Sequence, residues 1–190
     1  MITIDHGIFN LQIGEGVAVM DFNPKGDRYP TELVNEVYAR ECRYIEQLSK
    51  YSWAPKNVHL MKPFRQVYFQ WHANTCEDLV PDNYKQQLEQ IVRDLHSEQI
   101  YKPSFYPKYF YTDDVGQLHA YAFYSASDYS EQPISMDFYR PILNPQRKAL
   151  VEQLEVDGKL DMGILVKHAF TDYIKWPEDP LPEIYRKVYQ

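Results

Sequence analysis

The fold is decided by a short stretch in the middle of the chain, Gln66-Val67-Tyr68-Phe69-Gln70-Trp71-His72. Val67, Phe69 and Trp71 alternate with Gln66, Tyr68, Gln70 and His72 at a period of two. Successive side chains of a strand point to opposite faces of its sheet, so this alternation is typical of a strand with one buried face. The stretch therefore predicts a strand whose sheet partners lie on either side of it in the sequence.

Further strands are predicted on both sides, each bounded by turn residues. Gly14-Glu15-Gly16 predicts a hairpin turn, and Pro63 predicts a break between two strands. The predicted strands are residues 8–13, 17–22, two within 56–73, two within 104–124 that flank the loop 112–117, and 134–139.

Helices are predicted between these groups of strands. The segment that follows Pro81 carries an apolar stripe at helical spacing, formed by Leu88, Ile91, Val92 and Leu95. The other predicted helices begin at Thr31 and run to about Lys50, begin at Asn144 and run to about Glu155, and begin at Asp161 and run to about Ile174. Residues 158–175 fit a strand as well as a helix.

Strands and helices therefore come in clusters and do not alternate strictly, which favours an α+β fold. We expect one domain over residues 1–190, with an antiparallel-dominated sheet and helices packed mainly on one face. Prolines make the segment of about 176–183 extended. Such a segment can dock a partner or wrap its own domain.

Composition restricts the partners and the compartment. Of 190 residues, 27 are acidic and 20 basic, so the net charge is −7, which argues against duplex DNA as a partner. No apolar run is long enough to span a membrane, and no signal peptide is visible. Cys42 and Cys76 are too few for a disulfide framework, and both are expected to be reduced. The sequence predicts an acidic, aromatic-rich, soluble protein of the cytoplasm.

Catalytic and cofactor signatures are weak in this sequence. Gly14-Glu15-Gly16 lacks the third glycine and the following helix of a dinucleotide fingerprint, and no Walker loop or serine-hydrolase elbow is present. We predict no cofactor and no metal site, since no ligand set has the spacing of a structural zinc. The residues with the best potential for acid–base chemistry are His72 and His119.

One region is unusual in its charge. Residues 47–76 contain no acidic side chain, although the chain as a whole is acidic. The candidate binding residues from this region are Lys56, Lys62, Arg65 and Trp71, because cations interleaved with aromatic rings suit anionic partners. The alternative explanation is that the core of a sheet is poor in carboxylates because burying a carboxylate is costly.

Two functional hypotheses follow from these observations. The first is a binding or adaptor protein that uses an aromatic, locally basic face for an anionic small ligand or an acidic protein partner. The second is a hydrolase-like or lyase-like enzyme whose acid–base histidine is assembled with residues that are distant in sequence. A flat exposed patch favours the first hypothesis, and a cleft lined by convergent polar groups favours the second.

Overall fold

The architecture was obtained as a computed structural model that describes residues 1–26, 29–72, 74–130 and 175–189. Its contacts divide the chain into two compact units. The sheet unit comprises Met1–Pro81 and Lys108–Tyr124, and the helical unit comprises Asp82–Pro107 and Ser125–Gln190. Strands pair antiparallel throughout the described residues, so the predicted α+β class is confirmed. The extent of a single domain over residues 1–190 stays a prediction.

Five antiparallel strands form the main sheet of the sheet unit, in the order β1-β2-β3-β5-β4. They are β1 (Ile2–Asp5), β2 (Asn10–Gly14), β3 (Val17–Asp21), β4 (His59–Met61) and β5 (Gln66–Gln70). The predicted hairpin at Gly14-Glu15-Gly16 is confirmed, because β2 pairs with β3 around it. β5 is the stretch that the alternating pattern identified, and it lies between β3 and β4 as a central strand.

The register of these strands separates a buried face from an outer face. Leu11 of β2 pairs with Met20 of β3, and Met20 pairs with Val67 of β5, and all three side chains are fully buried. The next row of the same face joins Ala18 to Phe69. Residues between these rows point to the other side because side chains alternate along a strand.

Helix α1 (Thr31–Gln47) covers the buried face through one apolar stripe that includes Leu33, Val34 and Val37. The Tyr38 hydroxyl donates a hydrogen bond of 3.2 Å to the Gln66 carbonyl of β5. Pro30 precedes the first turn and Thr31 is the first helical residue, so Thr31 does not cap the helix as predicted. The helix ends at Gln47, slightly before the predicted end.

The second sheet of the sheet unit has three short strands in the order β6-β8-β9. They are β6 (Asn74–Thr75), β8 (Phe110–Thr112) and β9 (Leu118–Ala120). The hairpin between β8 and β9 confirms the loop predicted at residues 112–117, and Gly116 adopts the left-handed φ of 80° that this turn needs.

In the helical unit, two helices pack on each other beside a pair of two-residue strands. α2 (Tyr84–Ser97) buries its predicted apolar stripe, and it contacts α3 (Leu181–Val188) and β7 (Ile100–Tyr101). β7 pairs with β10 (Ser127–Asp128). The Trp176 ring stacks on Tyr84 at 5.9 Å, and its indole Nε1 donates to the Phe105 carbonyl at 2.9 Å. The C-terminal segment thus packs against its own unit.

The C-terminal helix begins at Leu181, with Pro182 in its first turn, where the missing N–H has no cost. The segment predicted to be extended over about 176–183 instead contains a turn before the helix, since the Asp179 amide donates to the Trp176 carbonyl at 3.0 Å and Glu178 and Asp179 have left-handed φ angles of 59° and 45°. The predicted strand at 134–139 and the predicted helices at 144–155 and 161–174 lie outside the described residues. No helix in the described ranges is long and apolar enough to cross a membrane.

Replacing Leu88 with Ala should destabilise the protein by about 2–5 kcal/mol, because the fully buried side chain leaves a cavity in the contact of α2 with its neighbours. The free energy of unfolding from urea titration measures this change. Gln86→Ala, two residues earlier on the exposed side of α2, is the matched control and should change stability by less than about 0.5 kcal/mol. Equal stability of the Leu88→Ala variant and the wild type would contradict the assigned packing.

Candidate functional site

The turn between β4 and β5 brings two of the predicted cations together. Lys62–Phe64 form a single 3-10 turn with Pro63 near its start, and the Arg65 amide donates to the Lys62 carbonyl at 3.2 Å. Arg65 closes the turn in the left-handed region, at a φ of 50°, which is uncommon for a residue with a side chain. We call Met61, Lys62, Phe64 and Arg65 the basic turn.

The charge of the basic turn is not neutralised by carboxylates in the described structure. The Arg65 guanidinium donates to Asn23 Oδ1 from Nε at 3.2 Å and from Nη2 at 3.0 Å, and to Asn35 Oδ1 from Nη1 at 3.2 Å. Amide oxygens orient the guanidinium without cancelling its charge. Among the described residues, no ion pair involves Lys56, Lys62 or Arg65.

Apolar surface lies beside these charges. Phe64 is 59% exposed and Met61 is 40% exposed, so two large apolar side chains beside the cations contact water. Aromatic residues, Met and Arg are enriched at the cores of protein interfaces. The basic turn therefore has the composition of a small interface.

Lys56 lies at the opposite end of the β4–β5 hairpin. Its carbonyl accepts a hydrogen bond of 2.8 Å from the Gln70 amide at the end of β5, whereas Arg65 precedes the start of that strand. Five strand residues span about 17 Å. The Lys56 ammonium donates to the Tyr51 carbonyl at 2.7 Å, and burial lowers the pKa of this lysine. The three predicted cations are thus divided between two ends of one hairpin.

A groove of about 540 Å³ lies on the outer face of the sheet between these two ends. We call it the edge groove. Its floor and walls come from β3, β5 and β4, and the lining residues that matter below are Val17, Asn57, His59, Met61, Tyr68 and Gln70. Sequence analysis did not identify the groove, although the outward positions of the alternating pattern, such as Tyr68 and Gln70, were the signal for it.

Trp71, the fourth predicted binding residue, lies in the core of the sheet unit. Its ring is 6% exposed and packs against Tyr111 at 4.8 Å, Tyr121 at 5.8 Å and Phe69 at 6.1 Å. Its contacts are those of a core residue, and we assign it no part in the exposed site.

The two predicted acid–base histidines lie next to each other. The rings of His72 and His119 stack at 6.0 Å, and the Tyr111 ring lies 4.9 Å from His119. His119 is buried, with Nδ1 3.1 Å from the Ala54 carbonyl and Nε2 2.9 Å from Asp113 Oδ2. Each ring nitrogen therefore lies within hydrogen-bond distance of an oxygen atom.

Asp113 joins this histidine to the β8–β9 loop. Its Oδ1 accepts hydrogen bonds from the amides of Val115 at 3.0 Å and Gln117 at 2.9 Å. Burial raises the pKa of Asp113, but the hydrogen bonds from His119 and from the two amides outweigh it, so the net pKa is lowered. The cluster therefore closes the loop and anchors it to the segment around Ala54.

The loop between β1 and β2 folds inward. Ile8 and Phe9 are buried, and the Phe9 ring contacts Phe22 at 5.4 Å and Tyr124 at 5.6 Å. His6 stacks on Phe9 at 4.8 Å; burial, together with the nearby Lys108, lowers its pKa to about 4, against an opposing effect of Asp5. We call His6, Phe9, Phe22, Tyr109 and Tyr124 the aromatic plug.

Comparison with known proteins finds a likeness in structure only. No family model matches the chain, and no curated protein sequence matches it. Two crystal structures of WbdD, one of them with the kinase inhibitor LY294002, match all of this chain with a TM-score of 0.50 at 9% and 10% identity. A third WbdD structure, described as a bifunctional kinase-methyltransferase, matches 96% of the chain at 11% identity with a TM-score of 0.47.

The chain spans less than half of WbdD, 45% in the first two structures and 42% in the third. At these identities the likeness shows a shared fold and nothing about activity. The site residues described above rest on the geometry of this chain alone.

Asp113→Asn should destabilise the protein at neutral pH by about 1.5–3 kcal/mol, since hydrogen bonds to a charged carboxylate are lost or weakened. The lowered pKa of Asp113 contributes stability above its unfolded value of about 3.9, and this contribution is lost as pH falls through the folded value. The free energies of unfolding of wild type and variant should therefore converge in strong acid.

The matched control for this experiment is Asp114→Asn, because Asp114 is the exposed neighbour on the same loop. It should leave both the stability and its pH profile unchanged within about 0.5 kcal/mol. If Asp113→Asn shows the same profile as Asp114→Asn, the proposed anchoring of the loop is wrong.

Proposed function

We propose that this chain is a binding protein that holds an acidic protein partner on the basic turn and transfers no phosphoryl group. The observation that carries the proposal is that the basic turn exposes positive charge and apolar side chains next to each other. Lys62 and Arg65 lie outside every ion pair of the described residues, and Phe64 and Met61 beside them are exposed. The net charge of −7 makes this local excess of positive charge stand out.

The first activity to weigh against this proposal is that of a kinase, because WbdD was crystallised with a kinase inhibitor. Protein kinases carry a lysine at the end of a Val-Ala-Ile-Lys pattern on their third strand, and this lysine contacts the phosphates of ATP. The third strand here reads Val17-Ala18-Val19-Met20. Met20 is fully buried and carries no charge, so this strand lacks the phosphate contact.

The loop between the first two strands supports the same inference. A glycine-rich loop covers the ATP phosphates in kinases, because only backbone without side chains can approach them so closely. Between β1 and β2 this chain has a single glycine, Gly7, followed by Ile8 and Phe9, which point into the core. The aromatic plug occupies space beneath this loop with its own side chains.

The enzyme hypothesis receives less support from the geometry. A general base needs a lone pair within reach of the substrate proton. Both nitrogens of His119 are engaged with oxygens, and the ring is 4% exposed. His72 is half-buried and stacks on its neighbours, so the pair suits an anchoring role better than proton transfer.

A location in the cytoplasm stays a prediction. Cys42 and Cys76 are both free and buried, which suits a reducing compartment. Burial raises the pKa of Cys76 to about 11, so its thiol is protonated at neutral pH.

A fluorescein-labelled poly-glutamate peptide of ten residues should bind the protein, with an affinity that falls as salt is raised, because screening weakens each charge contact. The double variant Lys62→Glu/Arg65→Glu should bind at least ten-fold more weakly in fluorescence anisotropy. Arg186→Glu/Lys187→Glu reverses two exposed cations on α3 and changes the net charge by the same amount, so it is the control and should change affinity less than two-fold. Equal loss in both variants would reduce the effect to net charge and overturn the proposed site.

Calorimetric titration with ATP and Mg²⁺ should give no binding heat, and the melting temperature should not rise in their presence. The reason is that Met20 offers no cation and the aromatic plug fills the space beneath the β1–β2 loop. Saturable binding of ATP with a rise in melting temperature would contradict the noncatalytic proposal.

A further inference from the structure

β4 is one of the two edge strands of the main sheet, and its outer side is unpaired among the described residues. β4 pairs with β5 on one side only. Among the described residues, no backbone hydrogen bond reaches the other side of His59–Met61. A strand edge with free amides and carbonyls is a template on which another extended chain can pair.

The edge groove lies beside this free edge. His59 and Met61 are the outward-facing residues of β4, and both line the groove. A chain paired with β4 would place every second side chain on the same outer face, because side chains alternate along a strand. Apolar side chains at these positions would lie beside Met61 of β4, at the margin of the groove.

The charged residues around the groove favour an incoming chain that carries negative charge. Lys56 lies at one end of the hairpin, and Lys62 and Arg65 lie at the other, about 17 Å away along β5. Two carboxylates of the main sheet share this outer face, and neither is on β4 or β5. Asp21 of β3 pairs with Gln66 and accepts a hydrogen bond from Asn23, and Asp5 lies on β1 at the opposite edge, where it accepts a hydrogen bond from the Gly7 amide. The edge itself belongs to the acid-free residues 47–76.

We propose that β4 pairs with an extended segment of a partner protein, about five residues long, with acidic residues at its two ends and apolar residues facing the edge groove. This inference rests on the proposed binding function and names the shape and chemistry of the partner. Main-chain hydrogen bonds to β4 supply affinity, and the groove and the two basic ends supply selectivity.

The probe is a fluorescein-labelled nonapeptide, Glu-Glu-Val-Thr-Val-Thr-Val-Glu-Glu, with two N-methylated forms. One form is methylated at its three valine amides and the other at its two threonine amides. Along a paired strand, alternate amides point towards and away from the neighbouring strand. One methylated form should therefore lose at least ten-fold in affinity, and the other should bind within about two-fold of the parent peptide.

The protein variant for this experiment is His59→Asp, which puts a negative charge beside the edge groove on β4, outside the basic turn. It should weaken the parent peptide at least ten-fold. Thr3→Asp is the matched control, because Thr3 is exposed on β1, the strand at the opposite edge of the same sheet. Circular dichroism and the midpoint of thermal unfolding establish that both variants are folded.

The outcomes separate this inference from the proposed function. Equal binding of both methylated forms, and parent-like binding by His59→Asp, with the loss on Lys62→Glu/Arg65→Glu retained, would overturn strand pairing and leave the basic turn as the site. A loss on Thr3→Asp in place of His59→Asp would also overturn it. Absence of binding by both the nonapeptide and poly-glutamate at low salt would overturn both proposals.

Discussion

The antiparallel register of β3 between β2 and β5 is the constraint on which the rest of the sheet unit depends. It aligns Leu11, Met20 and Val67 in one fully buried row, and Ala18 with Phe69 in the next. A slip of β3 by one residue would turn its own side chains, Ala18 and Met20, away from this buried face. The same register therefore determines which residues lie on the outer face. The edge groove is lined mainly by those outer-face residues.

Much of the fold could be predicted from the sequence because burial leaves a periodic trace. The alternation in residues 66–72 located β5, and the apolar stripe after Pro81 located α2. Contacts between distant segments leave no such trace. The hydrogen bonds from His119 to Ala54 and to Asp113 depend on a strand, a loop and a turn meeting in space, so the sequence could suggest two histidines but not their shared anchoring role.

The candidate site was predictable in part for the same reason. The acid-free region pointed to Lys62 and Arg65, and the structure brings them together because a single tight turn separates them. Lys56 is only six residues before Lys62, but β4 lies between them. The extended backbone of β4 places Lys56 at the other end of the β4–β5 hairpin. Trp71 follows Val67 and Phe69 at every second position, and these positions face the core. The alternating pattern thus already indicated that Trp71 is buried more than that it contacts a ligand.

The explanation that a sheet core simply lacks carboxylates does not account for the whole acid-free region. It applies to Val67, Phe69 and Trp71, whose side chains are buried, where a carboxylate would be costly. It does not apply to the basic turn or to His59 of β4, which are largely exposed and could hold Asp or Glu at little cost.

Exposed strand edges are commonly protected by charge, and lysine is frequent in that role. Here the lysines and the arginine lie at the two ends of the hairpin and leave the middle of the edge uncharged. That arrangement favours an acidic strand and repels a basic one. The cations thus select the partner by charge and leave the backbone of β4 open to pairing.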